Sequence, residues 1–248
     1  MKLILNGCLG RMGRAVTELA PTRDAEIVAG VDVAAGAAAY PVTPDWSNLP
    51  DADAVIDFSN PAALAAELAY VTAHNLPLVL CTTGLSAEQM AAVKEAATRI
   101  PVFFSSNMSL GVAVLSALTK KAAAVLGDTF DIEIVEMHHN QKLDAPSGTA
   151  LMLADAAKAG LSYEPVYTYD RHTRRQKRDK KEIGIAALRG GTVVGEHSVY
   201  FAGEQEVVTL SHSAGSRSVF AAGALTAAAF LQGKPAGLYS MEDIIGNI

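Results

Sequence analysis

Apolar residues in the first hundred positions follow two alternating rhythms. The runs "KLILNG", "AEIVAGVD", "DADAVIDFS", "LPLVLCTTG" and "PVFFSSN" are short, rich in Val, Ile, Leu and Phe, and end in Gly, Asp, Ser or Asn, which predicts strands closed by turns. Between them "RMGRAVTELA", "PAALAAELAYVTAH" and "SAEQMAAVKEAATR" carry apolar residues at the three-and-four spacing of a helix face. Strands alternating with helices imply βαβ units and a parallel sheet covered on both sides.

The pattern changes after Asn107. A helix, "LGVAVLSALTKKAAAVL", leads into the strand "FDIEIVEMHH" and then into the helix "GTALMLADAAKA". From Glu182 onward "EIGIAALRGG", "TVVGEHSVYFAG" and "QEVVTLSHSA" follow one another with only short turns between them, so antiparallel strands are expected. The last helix, "SRSVFAAGALTAAAFLQG", is amphipathic and suited to return to the first domain. The expected fold is α/β: a Rossmann-type doubly wound parallel sheet with an inserted α+β domain carrying a mostly antiparallel sheet. The domains are drawn as residues 1–108 plus 216–248, and 109–215. No internal repeat or low-complexity linker interrupts them.

A chain of 248 residues is long enough for two domains at about 150 residues per domain. With 50% hydrophobic and 19% charged residues it has the composition of a folded protein, and a net charge of −6 argues against bulk binding to nucleic acid or an anionic membrane. A small-molecule role is favoured. No apolar run approaches the roughly 18 residues of a membrane span, and "MKLILNGCLG" turns to glycine before a signal-peptide core could form, so a cytoplasmic protein is expected. Cys8 and Cys81 are the only cysteines, too few for a disulfide framework or a metal knuckle; both are expected to be buried, and no metal site is expected.

Gly7, Gly10 and Gly13 follow the first strand as G-x-x-G-x-x-G, where amides at a helix N-terminus can hold a pyrophosphate. Leu9 stands where the usual fingerprint has its second glycine, so an ordinary strand-to-helix turn fits the motif alone equally well. Asp32 ends the second strand at about the distance along the chain where a carboxylate accepts hydrogen bonds from an adenine ribose, although aspartate is also common as a turn or cap residue. Together they favour a dinucleotide site. Ligands of open α/β sheets bind beyond the carboxyl ends of the strands, which adds the turns Cys81 to Gly84 and Ser105 to Met108 as further walls.

The densest chemistry lies in "EIVEMHHNQKLDAPSGTA", from Glu133 to Ala150. An extended strand here puts Glu136 and His138 on one face and Met137 and His139 on the other, so the histidines cannot share a role. Ser147 is placed to cap the following helix, whose first-turn amides at Gly148 and Thr149 are a natural seat for a carboxylate. Lys142 adds a positive charge and a proton donor. A polar loop before a capped helix is the plainer reading, but two histidines, a lysine and an anion-ready helix start within so short a stretch point to a site.

"EMHHNQKLDAPSGTA" closely resembles the signature E-x-H-H-x-x-K-x-D-A-P-S-G-T-A of the 4-hydroxy-tetrahydrodipicolinate reductase family. "GCLGRMGR", "CTTG", "SSNMSLGV" and "EIGIAALRGGTVVGEH" extend the resemblance over nearly the whole chain; Leu9, Cys81 and Met108 depart from the family's more frequent glycine, glycine and phenylalanine. The resemblance implies NAD(P)H-dependent reduction of a cyclic dicarboxylate in lysine and diaminopimelate synthesis. It makes His138 the catalytic acid/base, Lys142 a second proton donor, and His139, Gly148 and Thr149 substrate ligands. It assigns the dinucleotide to Gly7, Cys8, Leu9, Gly10, Arg11, Met12, Asp32, Cys81, Thr82, Thr83, Ser105, Ser106, Asn107 and Met108. It also implies a dinucleotide-binding first domain, and a homotetramer built through the second domain, which binds substrate.

Asp32 suits a ribose 2′-hydroxyl and repels a 2′-phosphate, and the next residues, Val33, Ala34 and Ala35, bring no cation, so NADH is expected over NADPH, with Arg11 the one nearby charge that could rescue phosphate binding. "RHTRRQKRDKK" carries seven Lys or Arg between Arg171 and Lys181 and is expected to be a solvated loop, the alternative being a cover over an anionic substrate. Two other functions compete: an amino-acid or semialdehyde dehydrogenase using Cys81 as nucleophile, and a dinucleotide-sensing regulator without chemistry.

Overall fold

A computed structural model of the chain describes residues 1–34 and 36–246; Ala35, Asn247 and Ile248, which entered the readings above, lie outside the described residues. The chain divides into two compact units, residues 1–109 with 217–246, and residues 110–216.

The first unit is built on β1 (Lys2–Asn6), β2 (Glu26–Val31), β3 (Val42–Thr43), β4 (Ala54–Asp57), β5 (Leu78–Leu80) and β6 (Pro101–Phe104), joined after the second unit by β12 (Gly237–Tyr239). Their order is β12-β6-β5-β4-β1-β2-β3, and every pairing is parallel. The chain runs outward from β1 to β3 and then restarts on the other side at β4. That reversal is the switch point where open α/β sheets leave a crevice.

Alternate side chains point to opposite faces. Ile4, Val55, Leu78, Leu80 and Val102 pack on Leu64, Leu68 and Val71 of α2 (Leu64–Ala73) and Val93 and Ala96 of α3 (Ala87–Ala96). α6 (Ser218–Leu231) packs on β4, β5 and β6 and on α1 (Arg11–Leu19). Its buried positions are mostly Ala and Gly, and Phe230 meets Phe103 edge-on at 6.2 Å. Full burial of a side chain such as Phe103 is worth about 2–3 kcal/mol. β3 and β12 are two and three residues long, too short to show a period in the sequence.

The second unit holds α4 (Leu110–Leu126), β7 (Asp131–His138), α5 (Gly148–Gly160), β8 (Val166–Thr168), β9 (Glu182–Arg189), β10 (Gly195–Ala202) and β11 (Val207–Ala214). The strand order is β11-β10-β7-β9-β8. β10 is antiparallel to both β11 and β7, whereas β7, β9 and β8 run parallel, so the sheet is mixed rather than three consecutive antiparallel strands. The cause is the α5 crossover, which brings the chain back to β8 and β9 in the direction of β7. The short connection from β9 then straddles the end of β7: Gly190 N–H donates to His138 O (2.9 Å) and Asn140 N–H to Gly191 O (3.2 Å). Two strand spacings, about 10 Å, are within reach of such a loop.

Ile132 and Ile134, Ile183 and Ile185, and Val199 and Phe201 face α4 and α5. The other face, carrying Val135, Met137, Leu188 and Val207, is open; Leu188 and Val207 are 50% and 59% exposed.

Candidate active site

In the second unit the strand parity read from the sequence holds: β7 buries every second residue, including Glu136 and His138, and leaves Met137 and His139 partly exposed. Glu136 is fully buried and accepts from His138 Nδ1 at 2.6 Å, from Arg189 Nη1 and Nη2 at 2.9 Å each, and from Ser147 N–H at 3.0 Å. Burial works against its charge, but the Arg189, His138 and Ser147 bonds outweigh it and hold the carboxyl below the ordinary glutamate range. Glu136 thus fixes His138 by Nδ1 and leaves Nε2 for chemistry. A Cβ at position 195 would stand 3.0 Å from that Nε2, so Gly195 keeps this edge of the ring clear.

Arg189 ends β9 opposite His138, and its guanidinium also donates to Asp144 O at 2.6 Å, tying the 139–147 loop to the sheet. Within that loop Lys142 Nζ lies 2.8 Å from Asp144 Oδ1, and the Lys142 ammonium holds the Asp144 carboxyl below its usual range. The Ala145–Pro146 peptide is cis. Ser147 caps α5 through its Oγ, which accepts from Ala150 N–H (3.1 Å) and lies 3.0 Å from His197 Nε2. Gly148 opens α5, where helix geometry provides its N–H no internal partner. His197, on β10 opposite Glu136, meets the His138 ring edge-on at 5.2 Å. Burial, and then the coulombic effect of His138, push His197 down to about 4, so it is neutral at neutral pH.

The unit therefore gathers His138, Lys142, Gly148 and Ser147 with two side chains not singled out from the sequence, Arg189 and His197, and gives Glu136 a clamping role that strand parity alone did not show. Thr149 sits half-buried in the first turn of α5, and His139, on the other parity, leaves the strand as the loop begins. The basic segment adds to what the sequence showed. The run stays largely exposed, as expected of a solvated loop, but part of it is tied down: Arg171 and Arg174 pair with Glu182, Arg171 and Arg178 with Glu133, and Arg178 and Lys180 with Asp131. These acids begin β7 and β9, roughly 20 Å along the strand from His138, which also removes the reading of a cover over the substrate.

In the first unit a cavity of about 680 Å³ opens at the switch point, lined in part by Asn6, Gly7, Gly10 and Asp32. Gly7 has φ +74°, and a Cβ there would lie 2.6 Å from Phe58 O; at Gly13 a Cβ would lie 2.3 Å from Gly7 O. The two glycines let the turn fold tightly under α1, whose N-terminus at Gly10 receives no side-chain cap. Asp32 accepts from Leu9 N–H (2.9 Å) and Ala34 N–H (3.0 Å), so it braces the turn while each oxygen keeps a lone pair for a ribose hydroxyl. A turn that presents uncapped amides beside a carboxylate fits a dinucleotide.

Other expected cofactor residues occupy the same carboxyl-end rim with different exposure. Cys8 is buried, its thiol pushed up to about 11 by burial and the Asp32 charge, so only its backbone is offered to a ligand. Leu9 and Met12 are half-buried and Arg11 is exposed; Arg11 is not among the residues lining the cavity. After β5, Cys81 and Thr82 are buried and Thr83 is exposed. After β6, Ser105 Oγ donates to Asn107 O (2.7 Å), Asn107 Oδ1 accepts from Ser109 N–H (2.8 Å), Ser106 is exposed, and Met108 is buried with its carbonyl against Gly223. Burial, then the charges of Asp57 and Glu67, raise the Cys81 thiol well above its usual range, the reverse of an activated nucleophile, which removes the semialdehyde-dehydrogenase reading. Among the described residues no group of metal-ligating side chains occurs and no helix is long and apolar enough to cross a membrane.

A doubly wound parallel unit with an uncapped glycine turn beside a carboxylate, in one chain with a second unit that clamps a histidine on a buried carboxylate near a helix N-terminus, is the architecture of an NAD(P)H-dependent oxidoreductase. The comparisons narrow this. Residues 1–108 match the family model "Dihydrodipicolinate reductase, N-terminus" and residues 111–245 its C-terminal counterpart. The 4-hydroxy-tetrahydrodipicolinate reductases of Caldanaerobacter subterraneus subsp. tengcongensis and Clostridium tetani are 51% and 46% identical, over 99% and 100% of this chain and 98% of each relative. A solved dipicolinate-bound dihydrodipicolinate reductase from Paenisporosarcina sp. TG-14 shares the fold, with TM-score 0.82 at 24% identity over 99% of both chains. The chain belongs to the dihydrodipicolinate reductase family.

Proposed function

We propose that this protein reduces 4-hydroxy-tetrahydrodipicolinate to tetrahydrodipicolinate with a reduced nicotinamide dinucleotide, the step that serves lysine and diaminopimelate synthesis. The observation that carries the reading is the clamp on His138: one buried, ionised carboxylate fixes Nδ1, and a neutral His197 and a side-chain-free Gly195 flank the ring. A histidine held this way is a proton donor with one working nitrogen.

The substrate sheds water to leave a ring C=C conjugated to C=N; a reduced nicotinamide, when bound, would supply the hydride that adds to the far carbon as the electron pair moves to nitrogen. One proton must follow, and His138 delivers it from Nε2 while Glu136 stabilises the imidazolium until transfer. Lys142 draws in a substrate carboxylate and is the second donor. His139, with Gly148 and Thr149 at the start of α5, holds the carboxylates, where the helix dipole favours negative charge. Loss of NADH absorbance with freshly generated substrate tests the reading; an intact protein that binds dinucleotide but never oxidises it would instead support the regulator.

The finer points belong to the same proposal. Gly7 to Met12, Asp32, Cys81 to Thr83 and Ser105 to Met108 border the dinucleotide, and Asp32 favours NADH over NADPH by roughly tenfold in kcat/KM, about 1.4 kcal/mol of discrimination. Comparing both cofactors at low ionic strength decides this; equal efficiency would overturn it. The open apolar face of the second sheet supports a homotetramer, which a sedimentation mass equal to the 25.9 kDa chain would refute. A cytoplasmic setting is supported by the unpaired thiols Cys8 and Cys81 and by the demand for reduced nicotinamide.

A further inference from the structure

The switch-point cavity has a wall that the family signature does not explain. Besides the glycine turn and Asp32 it is lined by Pro44, Asp45, Trp46 and Ser47, which follow β3, and by Ala63 and Ala66. β3 is docked in register beside the ribose carboxylate: Asp32 N–H donates to Thr43 O at 3.0 Å. The loop therefore leaves the sheet immediately next to the residue expected to hold the adenine ribose.

Each of its two central side chains is fixed. Trp46 packs on Tyr70 of α2 with ring centroids 5.2 Å apart, and Tyr70 in turn stacks on His74 at 4.1 Å. An indole backed this way offers a flat apolar surface to the cavity without the cost of ordering it on binding. Asp45 Oδ1 accepts from Ser47 N–H (2.8 Å) and from Ser47 Oγ, and its own amide donates to Thr43 Oγ1 (3.3 Å). The Ser47 bonds hold its carboxyl below the ordinary aspartate range, so it is ionised at neutral pH. Among the described residues the cavity is lined by two carboxylates, Asp32 and Asp45, and by no lysine, arginine or histidine.

We propose that the Pro44–Ser47 loop is the adenosine end of the cofactor site, with Trp46 the platform on which the adenine stacks and Asp45 a second carboxylate that, with Asp32, excludes a 2′-phosphate. This rests on the dinucleotide reading above and deepens it. Both acids line the cavity, whereas Arg11, in the glycine turn, does not, so NADH is favoured on this reading in spite of that cation.

Trp46 is the only tryptophan in the chain, so its emission reports this wall alone. The test titrates the intact protein with ADP-ribose, following tryptophan fluorescence and, in parallel, calorimetric binding. The expected result is saturable quenching with the same midpoint as the heat, and no quenching by nicotinamide mononucleotide. Trp46→Ala should weaken ADP-ribose on the order of tenfold, as loss of a stacking platform does. Trp46→Phe, which keeps a ring, should recover most of that loss and so separates stacking from misfolding. Asp45→Asn should move the affinity ratio of 2′-phospho-ADP-ribose to ADP-ribose about tenfold toward the phosphorylated ligand. Calorimetric binding of ADP-ribose with unchanged emission and an unaffected Trp46→Ala variant would overturn the loop assignment and leave the cofactor reading intact. No binding of ADP-ribose or NADH by calorimetry would defeat the dinucleotide reading itself.

Discussion

Replacing Glu136 by Gln removes one charge and changes little else in shape. The carboxylate has no exposed surface and accepts four hydrogen bonds, from His138 Nδ1, both terminal nitrogens of Arg189 and Ser147 N–H. A glutamine has one oxygen for these donors, and its NH₂ must face two of them. The cheaper orientation turns the NH₂ toward His138, which can exchange tautomer and accept at Nδ1, so the net loss is one charged bond to Arg189 and the ion pair itself. Broken buried pairs cost about 3–5 kcal/mol, and with the Arg189 side chain 21% exposed the lower end, about 3 kcal/mol, is expected. The imidazolium also loses its acceptor, so kcat should fall roughly a hundredfold with little change in KM, the behaviour of a positioning residue behind the acid. Urea denaturation of Glu136→Gln, Arg189→Met and the double variant measures the first part. The double should be less destabilised than the sum of the singles by about 2 kcal/mol, because it removes both charges together. Additivity within about 0.5 kcal/mol, or a normal kcat in Glu136→Gln, would refute the clamp.

His138→Gln should abolish most turnover with modest change in KM, whereas His139→Gln should raise KM and Lys142→Ala should affect both; equal loss of kcat alone in the two histidine variants would end the division of roles. His197, held near 4 against 6.5 in the unfolded chain, stays neutral while the unfolded state takes up a proton, so it should cost about 3 kcal/mol of stability as pH falls from 6.5 to 4; a His197→Gln variant with the same acid slope would show otherwise. Glu67 is fully buried, with burial and then the Asp57 charge raising its pKa well above the usual value, so the native state keeps a proton that the unfolded chain releases above about pH 4.3 and stability falls as pH rises. Glu67→Gln should therefore match wild type near pH 4 and exceed it at about pH 8, and a difference independent of pH in denaturant titrations would contradict the raised pKa.

What could be read in the sequence was whatever a single strand or turn determines by itself. The period of "DIEIVEMHH" separates Glu136 and His138 from Met137 and His139, and β7 keeps that separation because one of its faces is covered by α4 and α5. The glycine turn was legible because Gly7 and Gly13 answer local steric demands. Arg189 was not, although it stands in the quoted run "EIGIAALRGG". Nothing local says that β7 inserts between β9 and β10, and only that insertion places Arg189 opposite His138 and His197 opposite Glu136. The ion pairs of the exposed run from Arg171 were hidden for the same reason, since its partners Asp131, Glu133 and Glu182 begin strands that the sequence separates and the sheet aligns. Once β7 and β9 are known to be parallel in this register, parity supplies the missing residue. Ile132 and Ile134 face the core, as do Ile183 and Ile185, so Arg189, four residues after Ile185, must share the face of Glu136 and can reach its carboxylate. An arginine on the core-facing parity of an isoleucine-alternating strand needs a counter-charge, and the fully buried Glu136 is the carboxylate that meets it.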